Sequence, residues 1–216
     1  MADPVVIRAA QSDDVDFLVH VMRIAATSHL PHCVWDVLLD LPPDRTDTVL
    51  RRVAESEQPH WCHVSRFWIA EADGRPVGAM SGFDTATEGS DVLERELAAQ
   101  AVVLGLDETA LLRVLERGQV LRDGTPADFP GTWGVENVAV AEQNRGTGVV
   151  DELFTAVLGH GHERGHDTAQ ILCLNGNVRA ERAWERQGFV VKADYCNQRF
   201  LDTYGCLGTK LLLRDL

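Results

Sequence analysis

Apolar residues along this chain switch between two spacings, and the places where the spacing changes divide it into elements. Val5-Val6-Ile7-Arg8-Ala9 predicts a short first strand, and Ser12 followed by Asp13 and Asp14 supplies a cap and acidic first turn for a helix to about Ala26. A second helix is predicted after Pro42-Pro43, through Val49, Leu50 and Val53, and Pro59 limits it. Phe67 to Glu71 and Pro76 to Met80 read as two strands joined by an Asp73-Gly74 hairpin turn. Between Asp84 and Pro130 the spacing becomes helical again, roughly Val92 to Leu104 and Asp107 to Val120, with Gly105 breaking the two. Val135 to Val140 is a strand-like run. Val149, Val150, Leu153, Phe154, Val157 and Leu158 then form one stripe of a helix that must pack on a sheet, with Gly165 as its C-terminal cap. Gln170 to Leu174 reads as a short buried strand and Arg179 to Gln187 as a helix ended by Gly188. Phe189 to Tyr195 and Gly208 to Arg214 read as two final strands, antiparallel neighbours. The pattern is that of an α/β chain with a mostly helical stretch between its third and fourth strands.

Gln143, Asn144, Arg145, Gly146, Thr147 and Gly148 lie between the Val135–Val140 strand and the helix from Val149. A glycine-rich turn opening a helix presents unpaired N–H groups and the positive end of the helix dipole, which suits a pyrophosphate. Arg145 can add a charge-assisted bond. The loop lacks the Lys-Ser/Thr of a P-loop and has two of the three glycines of a dinucleotide fingerprint.

Strand, Gln-x-x-Gly-x-Gly, helix resembles the acetyl-CoA-binding segment of the GCN5-related N-acetyltransferase (GNAT) family. A second match follows downstream, Asn177-x-x-Ala180-x-x-x-Trp184-x-x-x-Gly188-Phe189, similar to that family's Asn-x-x-Ala-x-x-x-Tyr-x-x-x-Gly-Phe segment. The resemblance implies a GNAT-like twisted mixed β-sheet of six or seven strands flanked by helices. It implies one domain over 1–216, with a helical insertion at about 84–130. It also implies an N-acetyltransferase that uses acetyl-CoA as co-substrate, with no metal, and carries the acetyl group to a primary amine of a small molecule by direct attack on the thioester. The cofactor would lie where the strand ending at Val140 separates from the strand ending at Leu174, held by backbone at Val138 and Val140, the Gln143–Gly148 cradle, Asn177, Ala180 and Trp184. The Val140 N–H would face the thioester oxygen.

Glu136 is the expected base, and strand alternation puts it on the face of Val138 and Val140 unless a bulge intervenes. It could equally be a strand-edge glutamate facing solvent or paired with an arginine. Asn177 could simply cap its helix. Trp184 departs from the family's tyrosine, and an indole N–H cannot serve as general acid. Tyr195 and Tyr204 are therefore the candidate acids, with water as the other source of a proton and core or surface packing as their plainer roles. The same departure keeps open an acyl-CoA-binding module without turnover.

A net charge of -13 argues against nucleic acid and favours a cationic or neutral substrate. Met1-Ala2-Asp3-Pro4 has neither a basic nor an apolar leader region, no stretch is long and apolar enough to span a membrane, and five scattered cysteines include no Cys-x-x-Cys pair. A soluble cytoplasmic protein is the expectation, with a homodimer as its candidate assembly. The stretch from Asp84 to Pro130 holds ten acids against four arginines. It reads as a solvated helical face, or as a substrate lid or dimer contact. His162-Glu163-Arg164-Gly165-His166 matches a zinc-protease pattern, but Gly165 should end the helix before His166, so zinc hydrolysis is a distant alternative. His29, His32, His60 and His63 are candidates for lining an acceptor pocket, or plain polar residues beside Trp35 and Trp61.

Overall fold

A computed structural model describes residues 5–216, with side chains omitted at 101 and 102. The residues Met1–Pro4, on which the expectation about a leader rested, lie outside the described residues. Seven strands form one sheet in the order β1-β2-β3-β4-β5-β7-β6: β1 (Val6–Ala9), β2 (Phe67–Ala72), β3 (Arg75–Asp84), β4 (Trp133–Val140), β5 (Thr168–Leu174), β6 (Val190–Asp194) and β7 (Thr209–Asp215). Every pairing is antiparallel except β4 with β5. The helices are α1 (Val15–Thr27), α2 (Val34–Leu39), α3 (Pro43–Ala54), α4 (Thr85–Glu88), α5 (Ser90–Val103), α6 (Glu108–Asp123), α7 (Val149–Glu163), α8 (Val178–Arg186) and α9 (Gln198–Tyr204).

The sheet separates two apolar cores. One gathers α1, α2, α3, α9 and parts of the insertion over one face, with Ile69, Ala79 and Ala139 from the strands. The other gathers α7 and α8 over Met80, Trp133, Val135 and Ile171. The stripe read along α7 is buried as expected, at Val149, Leu153, Phe154, Val157 and Leu158. Gly161 extends it, and a Cβ there would meet the Trp133 ring at 2.5–2.9 Å. Gly159, two residues earlier, has nothing within 4 Å. Alanine at the two sites should therefore have opposite effects: Gly161→Ala loses about 1–2 kcal/mol because overpacking outweighs the helix-propensity gain, while Gly159→Ala gains about 0.5–1 kcal/mol. Denaturant unfolding of both variants checks this.

The stretch at 84–130 carries the two helices read there, Ser90–Val103 and Glu108–Asp123, close to the expected bounds, with the short α4 before them. It is more than a solvated face. It buries Leu93 and Val120 and packs Leu97, Leu104 and Leu121 on the first core. Three short helices, α2, α4 and α9, were not read from the sequence. Six residues of α2 and seven of α9 are too short for a period of 3.6 to show, and α9 separates the last two strands, whose antiparallel pairing is as expected.

Among the described residues no helix is long and apolar enough to cross a membrane. The five cysteines form no disulfide.

Candidate active site

Parallel pairing of β4 with β5 covers only Trp133–Val135 against Ala169–Ile171, after which the strands part. The cause lies in β4. Asn137 has φ 52°, and the β3–β4 register slips between Ala79 and Ser81, so the strand carries a β-bulge. Asn137 is held there by its own amide: Nδ2 donates to the Trp61 carbonyl at 3.1 Å and to Ser81 Oγ at 3.4 Å.

The bulge changes which side chains share a face. Trp133 and Val135 point to the α7 core, and so do Val138 and Val140, while Ala139 points to the α1 core. Glu136, adjacent to Val135, therefore faces the α1 side with Asn137. The expectation that Glu136 shares a face with Val138 and Val140 is corrected by this extra residue. The glutamate stands on the insertion side of the sheet, and the two valines stand on the side of α7 and α8.

Backbone polarity in the gap follows from the ladder. Ala141 N–H donates to Val77 O at 2.7 Å, and Val140 lies opposite Gly78, so Val140 belongs to a pair that does not bond across to β3. Its N–H turns toward the opening left by β5. Its carbonyl accepts from Arg145 Nε at 3.1 Å.

The opening is part of one long cleft of about 2010 Å³. At one end are Asn144, Arg145, Gly146 and Gly148, with Gly146 at φ 79° and Gly148 at φ 94°. Those left-handed angles curl the loop so that the N–H groups of Gly146, Thr147 and Gly148 have no protein partner among the described residues. Gln143 and Thr147 are exposed, and their side chains do not line the cleft; Thr147 Oγ1 donates to Asn144 O at 2.7 Å instead. Arg179, Arg182 and Arg186 of α8 line the same end and give an acidic protein a cationic mouth. Asn177 caps α8, accepting from Ala180 N–H at 3.0 Å, and its Nδ2 donates to Ser28 Oγ at 2.6 Å. Asn177 and Ala180 line the cleft with Trp184. Trp184 is nonetheless mainly a core residue, set edge-on to Phe154 at 5.4 Å between centroids.

Glu136 lines the middle of the cleft. Burial pushes its carboxyl from 4.5 up to about 8, helped by the negative charge of Asp128, while the N–H groups of Leu172 and Asn137 pull the other way. No arginine is paired with it among the described residues, so the surface-glutamate alternative does not describe it. Asp128 comes from the end of the insertion. Buried Gln170 on β5 places it: Nε2 donates to Asp128 Oδ1 at 2.6 Å, and Oε1 accepts from Phe129 N–H at 2.6 Å and Thr132 Oγ1 at 3.0 Å. Sequence reasoning missed both Asp128 and Gln170. The available signal was a lone amide inside the apolar run around Gln170, because a buried polar group needs a partner. Asp128→Asn removes a like charge, so Glu136 should titrate lower and the rising limb of kcat/KM should move to lower pH by up to about one pH unit. A pH–rate profile reads this directly.

The candidate acids are not brought to the cleft. Tyr204 is fully buried on α9, and its hydroxyl donates to Arg117 O at 2.9 Å, with burial holding it protonated. Tyr195 is exposed beyond the end of β6 and lines no part of the cleft. His29, His32, His60 and His63 do not line it either; His60 is fully buried, and burial pushes its imidazole down to about 4. The His162–His166 pattern is split as expected. Helix α7 ends at Glu163, Gly165 takes φ 90°, and His166 Nδ1 lies 3.1 Å from Gly131 O. Among the described residues no group of three His, Cys, Asp or Glu side chains could hold a metal ion.

The family model described as the acetyltransferase (GNAT) family matches residues 35–189, so the chain belongs to that family and is an acetyltransferase of GNAT type. No curated protein matches the sequence. Its fold is similar to a crystal structure described only as an acetyltransferase (18% identity, 97% of this chain and 98% of that one, TM-score 0.67). It is similar also to an N-acetyltransferase from Staphylococcus aureus Mu50 (16% identity, 97% and 100%, TM-score 0.66). A third is the polyamine N-acetyltransferase of Drosophila melanogaster, which catalyses the formation of N-acetylagmatine (16% identity, 99% and 100%, TM-score 0.56). At these identities the likeness is one of fold.

Proposed function

We propose that the enzyme transfers the acetyl group of acetyl-CoA to a primary amine of a small molecule, with Glu136 as base. The observation that carries this reading is a carboxyl held near pH 8 in the middle of a cleft whose one end is an N–H cradle ringed by arginines. The pyrophosphate would rest on Gly146–Gly148, and the pantetheine arm would run through the gap along Val138 and Val140. The thioester oxygen would meet the Val140 N–H, a donor fixed in place before charge develops on that oxygen.

Glu136 takes a proton from the substrate ammonium, and the freed nitrogen lone pair attacks the thioester carbon. The new C–N bond forms, the C–S bond breaks, and the nitrogen gives its second proton to water, which relays one on to the departing thiolate. The departing thiolate takes a proton from water, since neither tyrosine reaches the cleft and Trp184 has none to give. An amine on the insertion side can meet a thioester on the α8 side because the bulge turns Glu136 and Val138 to opposite faces at the point where the sheet opens. The unpaired cysteines support a reducing, cytoplasmic setting.

The test is thiol release from acetyl-CoA across a panel of primary amines. Turnover with at least one amine is expected. Saturable acetyl-CoA binding with no thiol release from any amine would contradict the reading and favour a module that binds without turnover.

A further inference from the structure

The acceptor end of the cleft has a chemistry of its own. Trp35 on α2, Trp61 in the loop before β2, and Phe83 on β3 form a continuous aromatic wall, with centroids 5.9 Å and 6.5 Å apart in sequence along it. All three line the cleft, Trp61 half-buried and Trp35 and Phe83 buried, so Trp61 is the member that offers its ring to an occupant. The wall starts beside the base. Phe83 pairs with Gly134 on β4, the Trp61 carbonyl is bonded by the Asn137 amide, and the neighbouring Cys62 thiol feels the charge of Glu136. The same cleft is also lined by Leu97 of α5 and Leu111, Val114 and Leu115 of α6. None of these four is buried, and Leu115 is 64% exposed. An open cleft walled by apolar side chains gains most from an apolar occupant.

The charges at the outer end argue the same way. Arg95 and Arg122 both line it, and the acid beside them, Glu94, is already paired with Arg122 at 3.2 Å. Asp91 is exposed one turn from Arg95. A second ammonium at the far end of a linear diamine would meet two guanidinium groups, with Asp91 the one unpaired acid among the described residues there to offset them. The two inner acids, Glu136 and Asp128, serve a single nitrogen.

We propose that the acceptor is a primary monoamine with an aromatic body, its ring lying between the Trp35–Trp61–Phe83 wall and the apolar face of α5 and α6, and its nitrogen turned to Glu136 and Asp128. This rests on the acetyl-transfer reading and narrows it. The insertion is then the outer wall of the acceptor pocket, and its apolar residues fix the substrate class.

The test compares kcat/KM for 2-phenylethylamine and tryptamine with those for agmatine and putrescine at saturating acetyl-CoA. The aromatic monoamines are expected to lead by at least about tenfold, as hydrophobic pocket contacts discriminate on that scale. Trp61→Ala should reduce kcat/KM for the aromatic amines by at least about tenfold, chiefly through KM, with the acetyl-CoA Kd unchanged and Trp61→Phe restoring most of the loss. The unchanged Kd guards against a misfolded variant. A preference for agmatine or putrescine would overturn this inference while leaving acetyl transfer standing, as would an equal loss for all amines in Trp61→Ala. Acetyl-CoA binding without turnover of any amine would overturn both.

Discussion

Glu136→Gln is expected to lower kcat/KM by about 10²–10⁴-fold, the range a positioned general base supplies, while acetyl-CoA still binds. The amide is nearly isosteric, so the loss would belong to the proton and not to packing. In the unmodified enzyme, activity should rise with pH to a plateau above about 8, because the carboxyl must lose its proton before it can take one from the substrate. That limb should vanish in the variant. A matching effect on stability has a definite sign. A carboxyl raised from 4.5 to about 8 by folding keeps its proton in the native state over a range where the unfolded chain has lost it. The stability this represents is fully present below about pH 4.5 and is lost as pH rises through 8. Glutamine carries no such loss, so Glu136→Gln should be more stable than the parent at pH 9 by up to a few kcal/mol and unfold at a higher temperature, with the gap closing toward pH 4. Thermal unfolding at the two pH values measures it.

Gly146→Glu is expected to raise the acetyl-CoA Kd by at least about 100-fold. A Cβ at this position has nothing within 4 Å, so the substitution brings no clash, but it places a carboxylate among the N–H groups proposed to hold phosphate. Two like charges about 4 Å apart repel by roughly 1–4 kcal/mol in partly screened surroundings, and the same side chain also occupies the phosphate volume. The φ of 79° adds strain of about 1–2 kcal/mol to any non-glycine residue. Gly146→Ala separates the causes: it carries the strain without the charge, and its Kd should rise by less than about tenfold. Similar Kd values for the two variants would mean that the loop does not hold phosphate.

The half of the site proposed for the cofactor was legible in the sequence because it is local. A loop between a strand and a helix, an asparagine at a helix start and an apolar stripe are written within short windows, and the structure places Gly146, Gly148, Asn177 and Ala180 along one cleft. The acceptor half was not legible, because it is assembled from distant pieces. Asp128 is held by Gln170, some forty positions away on β5, and the Trp35–Trp61–Phe83 wall spans three elements. The bulge at Asn137 is the clearest case. Asparagine tolerates a positive φ, but nothing local marks this one as the extra residue; the Trp61 carbonyl and Ser81 that hold it are far away in sequence. One residue then reverses the face of everything beyond it. Tyr195 and Tyr204 were candidates by elimination, and only packing could show that one is locked against α6 and the other lies outside the cleft.

The most direct test of the account is isothermal titration of the unmodified protein with acetyl-CoA. Saturable binding with one molecule per chain, kept in Glu136→Gln and lost in Gly146→Glu, is the predicted result. Absence of binding by the unmodified protein, or full binding by Gly146→Glu, would contradict the assignment of the β4–β5 gap as the cofactor site.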